Sequence, residues 1–222
     1  MMQISILCSS ADHPVNKWLE SWQRDHSREH EIAIYRDKHD LPGGDLLFLV
    51  SCSELINAAT RERYKHTFVL HASDLPRGRG WSPHVWDLLE GAESITLSLL
   101  SAEDGVDTGP LWAKQKLRVP RHALHDEINA ILFSGEMALM DKALELVSKG
   151  AAPEPQNPDM EATYHPRRTP RDSEVDPRQP LADSFNKIRL MDPDRYPAFF
   201  RLHGHTYTIE LKKVSEDDKD HD

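Results

Sequence analysis

His71 and Asp107 are the residues whose type and spacing point most directly to chemistry. The apolar run Phe68-Val69-Leu70 ends on His71. A loop punctuated by glycine and proline follows, Ala72-Ser73-Asp74-Leu75-Pro76-Arg77-Gly78-Arg79-Gly80-Trp81-Ser82-Pro83, and further on stands Asp104-Gly105-Val106-Asp107-Thr108-Gly109. Ligands of open α/β sheets bind outside the carboxyl ends of the strands. A His and an Asp delivered by two such ends can meet in one crevice and handle a proton together. Between them, Gly78 and Gly80 allow the backbone to approach a ligand closely. Arg77 and Arg79 suit diphosphate oxygens, and Trp81 closes the loop.

The elements that must position these residues are readable from periodicity. Gln3 to Cys8 reads as a buried opening strand, and Pro14 to Gln23 as a helix with Val15, Trp18, Leu19 and Trp22 on one face. Glu31 to Tyr35 is a half-buried strand. Asp45 to Val50 is apolar enough for a central parallel strand. Ser53 reads as the N-cap of a helix start. The strand that ends at His71 follows Tyr64-Lys65-His66. This order predicts a doubly wound parallel sheet, although the connection from Tyr35 to Asp45 is short for a crossover helix. Ser82 to Glu90 reads as a helix with Ser82 or Trp81 near its start. Ser94 to Ser101 and Leu111 to Val119 read as strands. Leu124 to Val147 is a long amphipathic helix with Gly150 at its C-cap. Ala151 to Asp159 is a linker. Tyr164 to Pro180 is polar enough to suggest disorder by itself, but Phe185 to Arg189 and Tyr196 to Phe200 can dock back, and His205 to Lys212 alternates as a short strand. Ser215 to Asp222 reads as a disordered acidic tail.

Composition narrows the class. The chain has 222 residues, 27 Lys+Arg against 37 Asp+Glu, and a formal net charge of −10. That allows one sizeable core and a small appendage. It argues against a surface that grips a large nucleic acid, while leaving room for a local basic pocket. Cys8 and Cys52 sit in or beside apolar runs and read as reduced core thiols. His203 and His205 read as surface strand or turn residues, and no metal site is expected. No signal peptide or membrane-length apolar run appears, so a cytoplasmic protein that does not engage a membrane is expected.

The motifs carry a family resemblance. His71-Ala72-Ser73-Asp74-Leu75-Pro76, the glycine-rich loop and Asp104-Gly105-Val106-Asp107-Thr108-Gly109 together resemble the formyltransferases that use 10-formyltetrahydrofolate. These include methionyl-tRNA formyltransferase, glycinamide ribonucleotide transformylase and the nucleotide-sugar N-formyltransferases. The run from His71 to Pro83 is most similar to the sugar branch. So is the tail Tyr164-His165-Pro166-Arg167-Arg168-Thr169-Pro170-Arg171-Asp172 with Phe185-Asn186 and Tyr196 to Phe199. The resemblance implies an α/β, Rossmann-like formyltransferase fold with a mostly parallel sheet flanked by helices and a short C-terminal extension. Residues 1–150 form the catalytic domain, 151–214 an extension beside the active site, and 215–222 the tail. No separate oligonucleotide-binding domain is read after these, which argues against the tRNA branch as an expectation.

The same resemblance assigns residues. His71 and Asp107 match the family's catalytic His and Asp, with His71 as base or oxyanion donor and Asp107 orienting it. Leu49, Ser73, Leu75, Pro76, Asp104 and Gly105 fall where the family holds the folate co-substrate. Arg77, Gly78, Arg79, Gly80, Trp81, Arg167, Asn186, Arg189 and Tyr196 fall where a nucleotide-sugar would lie. The family's catalytic Asn, two residues before the His, is Val69 here. Thr67, Ser51, Ser53 or a backbone N–H takes its role, or the chain is slow or inactive. The implied reaction moves a formyl group to the amine of a UDP-, dTDP- or GDP-linked amino deoxysugar for bacterial surface glycans such as lipopolysaccharide. A homodimer is compatible with the family. The rival readings are another small amine acceptor, such as glycinamide ribonucleotide, and a folate- or nucleotide-binding module without turnover.

Overall fold

The computed structural model describes residues 1–214; the run from 215 to 222 lies outside the described residues. In chain order the elements are β1 (Gln3–Leu7), α1 (Asn16–His26), β2 (Glu31–Tyr35), β3 (Gly44–Leu49), α2 (Ala58–Arg61), β4 (Tyr64–His71), β5 (Arg79–Gly80), α3 (Pro83–Leu89), β6 (Ser94–Ser101), β7 (Leu111–Arg118), α4 (His125–Ser148), β8 (Tyr164–His165), α5 (Leu181–Leu190), β9 (Ala198–Leu202) and β10 (His205–Ile209). Six strands form the main sheet in the order β2-β1-β3-β4-β6-β7.

Alternation of side chains builds two unequal cores. On one face Ile4, Ile6, Leu46, Phe48, Phe68, Leu97 and Leu99 pack against Leu19 and Trp22 of α1 and Leu132, Phe133, Leu139 and Met140 of α4. On the other, Leu7, Leu47, Leu49 and Tyr64 meet Leu41 and Ile56 from connecting loops. Each fully buried Leu or Phe contributes about 1.5–3 kcal/mol, so the larger face supplies most of the cohesion. α4 starts cleanly because the Glu127 carboxylate accepts from the Leu124 N–H at 2.7 Å, and Asp126 and Glu127 complement the helix dipole. It ends at Gly150, whose φ of +64° is the left-handed C-cap the sequence predicts.

Three sequence expectations change. The helix expected after Ser53 instead begins at Ala58, with Asn57 Oδ1 accepting from Thr60 N at 2.9 Å. Ser53 is drawn off by Ser9, whose Oγ accepts from its N–H at 3.1 Å. The polar run from 164 to 180 is built into the fold: β8 pairs with β5, and Val175 N donates to Phe199 O at 2.7 Å.

The third change bears on the site. β1 to β4 are parallel, β6 runs antiparallel to β4, and β7 runs antiparallel to β6 and so returns to the common direction; the sheet is mostly parallel with one reversed strand. No helix separates β6 from β7 that would return the chain for a parallel strand. In the β4–β6 register His71 faces Ser98 and Phe68 faces Ser101. The carboxyl end of β6 therefore lies three residues short of His71, roughly 10 Å at about 3.3 Å per residue. The following loop must fold back over that distance to bring Asp107 to His71.

Candidate active site

β4 delivers His71 to the carboxyl end of the parallel half, and the ring is 8% exposed. Its Nε2 lies 2.8 Å from the Gly78 carbonyl oxygen. A carbonyl only accepts, so Nε2 carries the proton and Nδ1 is left with the lone pair. Asp107 Oδ2 stands 3.6 Å from the same Nε2, close enough for charge interaction and longer than a hydrogen bond. The carboxylate also accepts from the Gly80 N–H at 2.9 Å. The glycine-rich loop thus touches both partners: Gly78 holds the His and Gly80 holds the Asp.

That loop is pinned from several sides. Lys114 Nζ donates to Leu75 O and Asp74 Oδ1, each at 2.6 Å, and Ser98 Oγ donates to Ser73 O at 2.7 Å. Gly78 N donates to Thr163 Oγ1 at 2.8 Å. A side chain at Gly80, where φ is +93°, would drive its Cβ to 2.5 Å from the His165 carbonyl oxygen, so this close strand contact demands glycine. At Gly109 a Cβ would fall 1.8 Å from Ser101 O, which closes the base of the Asp107 loop in the same way. A cleft of about 560 Å³ opens beside the pair, lined by Pro76, Arg79, Glu103, Thr108, Pro110, Gln156 and Met160 among others.

The other expected site residues fall into groups. Leu49 and Leu75 are buried, and Pro76 follows Leu75 through a cis peptide bond. Ser73 is 1% exposed and its hydroxyl is enclosed without a partner among the described residues. Asp104 accepts from Arg61 at 2.7 Å, and Gly105 O accepts from Thr108 Oγ1 at 3.0 Å. Arg77 is exposed. Arg79 donates to Gln156 at 2.8 Å. The Arg167 guanidinium lies over the Trp81 ring, 4.9 Å from its centroid, which links the extension to the loop. Asn186 and Arg189 are turned to internal work: Arg189 Nε donates to Asn186 Oδ1 at 2.8 Å and NH1 to Ala123 O at 2.9 Å. Tyr196 is exposed beneath Arg195.

Val69 is half-buried against the smaller apolar core, so the position of the family's Asn bears no polar side chain. Of the residues considered in its place, Ser53 is bonded to Ser9, Ser51 has a φ of +47°, and Thr67 Oγ1 is enclosed without a partner among the described residues. Sequence reasoning missed Gln156, Thr163 and Lys114, which hold the loops. It also missed His84, whose ring Nδ1 is enclosed and unpartnered. Burial, and then the nearby charges of His71 and Arg168, push His84 down to about 4, so it is a neutral ring at pH 7.

Comparison with known proteins bears on the family and the fold. A family model described as formyl transferase matches residues 6–144. Mitochondrial 10-formyltetrahydrofolate dehydrogenase of Mus musculus is 31% identical over 170 residues, covering 75% of this chain and 18% of that protein, so the chain spans about a fifth of that relative's length. Among solved structures, a methionyl-tRNA formyltransferase from Clostridium thermocellum has a TM-score of 0.81 at 23% identity, covering 98% of this chain and 95% of the other. A 4-N formyltransferase from Francisella tularensis has a TM-score of 0.73 at 16% identity, covering 96% and 99%. At these identities the structures speak for the fold alone. The match over residues 6–144, with the His71–Asp107 pair inside it, shows that the chain belongs to the formyl transferase family.

Proposed function

We propose that the protein moves a formyl group from 10-formyltetrahydrofolate to the amino group of a nucleotide-linked amino deoxysugar. The observation that carries the transfer chemistry is the His71–Asp107 pair at 3.6 Å, enclosed by the Gly78–Gly80 loop. An amine attacks only when neutral, so a proton must leave it as the new bond forms. Nδ1 of His71 bears the free lone pair and is the group to accept that proton. The imidazolium so formed is stabilised by the Asp107 carboxylate, while the Gly78 carbonyl keeps the ring oriented.

The residues present fit a folate. The cleft beside the pair has the volume of a small-molecule site, with Pro76, Pro110, Pro155 and Met160 for an apolar ring system and Thr108 and Arg79 for polar edges. The unpartnered Ser73 hydroxyl is a donor and acceptor in want of a ligand. Leu49, Leu75, Pro76, Asp104 and Gly105 would border the co-substrate, which supplies the formyl group. The sugar branch is supported by the extension. Its β8 pairs with the glycine-rich loop and Arg167 covers Trp81, so residues 151–214 stand where an acceptor would approach. Arg77, exposed on the same loop, is the cation available to its phosphates. The net charge of −10 disfavours a tRNA acceptor.

A second reading, a binding module without turnover, is favoured by Val69. One experiment separates the two. The purified protein is incubated with 10-formyltetrahydrofolate and a panel of UDP-, dTDP- and GDP-linked amino sugars, and the added formyl mass is sought by mass spectrometry. Formylation of one sugar is expected, with kcat lowered by about 10²–10⁴-fold in His71→Ala and Asp107→Ala. Folate binding with no product from any acceptor would favour the module, and no folate binding would sink both readings.

A further inference from the structure

Asp107 is not placed by its own strand. β6 ends short of His71, and the loop from 102 to 110 reaches back with Asp107 at φ +54°. A left-handed residue other than glycine costs about 1 kcal/mol and persists only where its surroundings impose it. The Gly80 N–H fixes the carboxylate, but something else must fix the backbone from which it hangs.

That restraint comes from Gln156, far along the chain and beyond the matched residues 6–144. Its Nε2 donates to Asp107 O at 2.8 Å and to Gly109 O at 2.9 Å, on either side of Thr108. Its Oε1 accepts from Arg79 NH2 at 2.8 Å. The two carbonyls only accept and the guanidinium only donates, so the amide has one workable orientation, and both of its N–H groups are used. Arg79 precedes the Gly80 that holds the carboxylate, so Gln156 ties both ends of Asp107 to one loop.

The surrounding segment is anchored independently of this amide. Leu111 and Glu154 exchange backbone hydrogen bonds at 2.7 and 2.8 Å. Arg79 N donates to Thr163 O at 2.9 Å, and Trp81 N to His165 O at 3.1 Å. Losing the Gln156 N–H groups therefore leaves the strap from 154 to 165 in place and frees the Asp107 loop.

We propose that Gln156 is a positioning residue for Asp107, setting the distance from its carboxylate to His71 through the carbonyls of Asp107 and Gly109. The inference rests on the reading that His71 and Asp107 carry the proton. Gln156→Glu is the telling variant: it preserves size and the acceptor for Arg79, but turns a carboxylate oxygen on two carbonyl oxygens. If Gln156 served only to pack or to hold Arg79, Glu would replace it.

The test uses the full chain. Turnover of 10-formyltetrahydrofolate is followed with the acceptor sugar, or with water as acceptor, for Gln156→Glu, Asp107→Asn and the double variant. Hydrogen–deuterium exchange of the peptide spanning 105–109 is measured on the same proteins. Gln156→Glu should lower kcat by about ten- to a hundredfold, the scale of a small misplacement of a reacting group, with a smaller change in KM for the folate, whose cleft Gln156 also lines. In the Asp107→Asn background it should cost nothing more, because the two residues act as one unit. Exchange at 105–109 should quicken while β1 and β3 stay protected. An unchanged kcat, a rise in KM alone, a full further loss in the double variant, or unaltered exchange at 105–109 would each overturn the proposal. If the wild-type protein transfers no formyl group at all, the proposed function fails, and the exchange measurement still decides whether Gln156 holds the loop.

Discussion

Glu136 on α4 and Arg189 on α5 are both buried, at 5% and 4% exposure, one in the core and one in the extension. They are handled in opposite ways. Among the described residues Glu136 Oε2 has no hydrogen-bond partner, and burial alone pushes its carboxyl up to about 8. Arg189 is surrounded by acceptors: Asn186 Oδ1, Ala123 O and, at 3.5 Å, Pro120 O. The difference follows from proton chemistry. A carboxyl can escape the cost of a buried charge by keeping its proton, whereas a guanidinium stays charged and must be given partners. It also shows how the two regions cohere. The core is held by apolar packing that tolerates one neutral acid. The extension shares that apolar packing through Ile188, Leu190 and Met191, and adds obligatory polar contacts from Arg189 to the loop before α4.

The largest expected effect is at Glu136. Its folded-state value is about 8 against an ordinary 4.5. Between those values the unfolded chain has released the proton and the folded chain has kept it. Stability therefore falls as pH rises from 4.5 to 8 and is level below that window. At about 1.4 kcal/mol per unit, the loss at pH 7 reaches about 3 kcal/mol. Glu136→Gln keeps the shape and cannot ionise, so it should be more stable than wild type by up to that amount at pH 7, with the advantage vanishing at pH 4.5. Urea midpoints at several pH values measure this; an advantage that does not change with pH would break the contrast with Arg189.

Arg189→Met is the counterpart, and its effect should be smaller and of opposite sign. The apolar stem survives, but Ala123 O and Asn186 Oδ1 lose their donor. A loss of about 2 kcal/mol is expected, the cost of leaving buried acceptors unpaired, with KM for the sugar unchanged. A large rise in KM at constant stability would instead return Arg189 to the substrate, where the tail's resemblance had put it.

This also marks what was legible in the sequence. His71, Gly78, Gly80 and Asp107 could be read because their chemistry lies in short, local spacing: a His closing an apolar run, glycines where backbone meets backbone, an Asp before Thr-Gly. The strands and α4 announced themselves by period. The antiparallel direction of β6 did not, because Ile95, Leu97 and Leu99 alternate the same way in either direction, and only pairing with β4 fixes it. Nor did Gln156, which sits between prolines in what reads as a linker and acquires its role by contacts far along the chain. Arg189 and Asn186 have the types of a phosphate and base site, yet on a helix they are three residues apart and satisfy each other first.

The smallest effect should come at the far end of the extension. The β9–β10 hairpin is buried at its base, where Ala198 is enclosed and Ile209 packs on the core, but beyond that most of its side chains are half-buried or exposed. Phe200 and Tyr207 sit directly opposite each other in the register, and their rings stack with centroids 5.2 Å apart. A cross-strand aromatic pair on a solvated face is worth about 0.5–1 kcal/mol. Tyr207→Ala should therefore lower the melting temperature by about 2–4 °C and leave formyl transfer intact. Because the ring is 44% exposed, its loss opens no cavity, and no polar group is stranded as at Arg189. A loss beyond about 2 kcal/mol would mean that the hairpin bears on the core through more than its base.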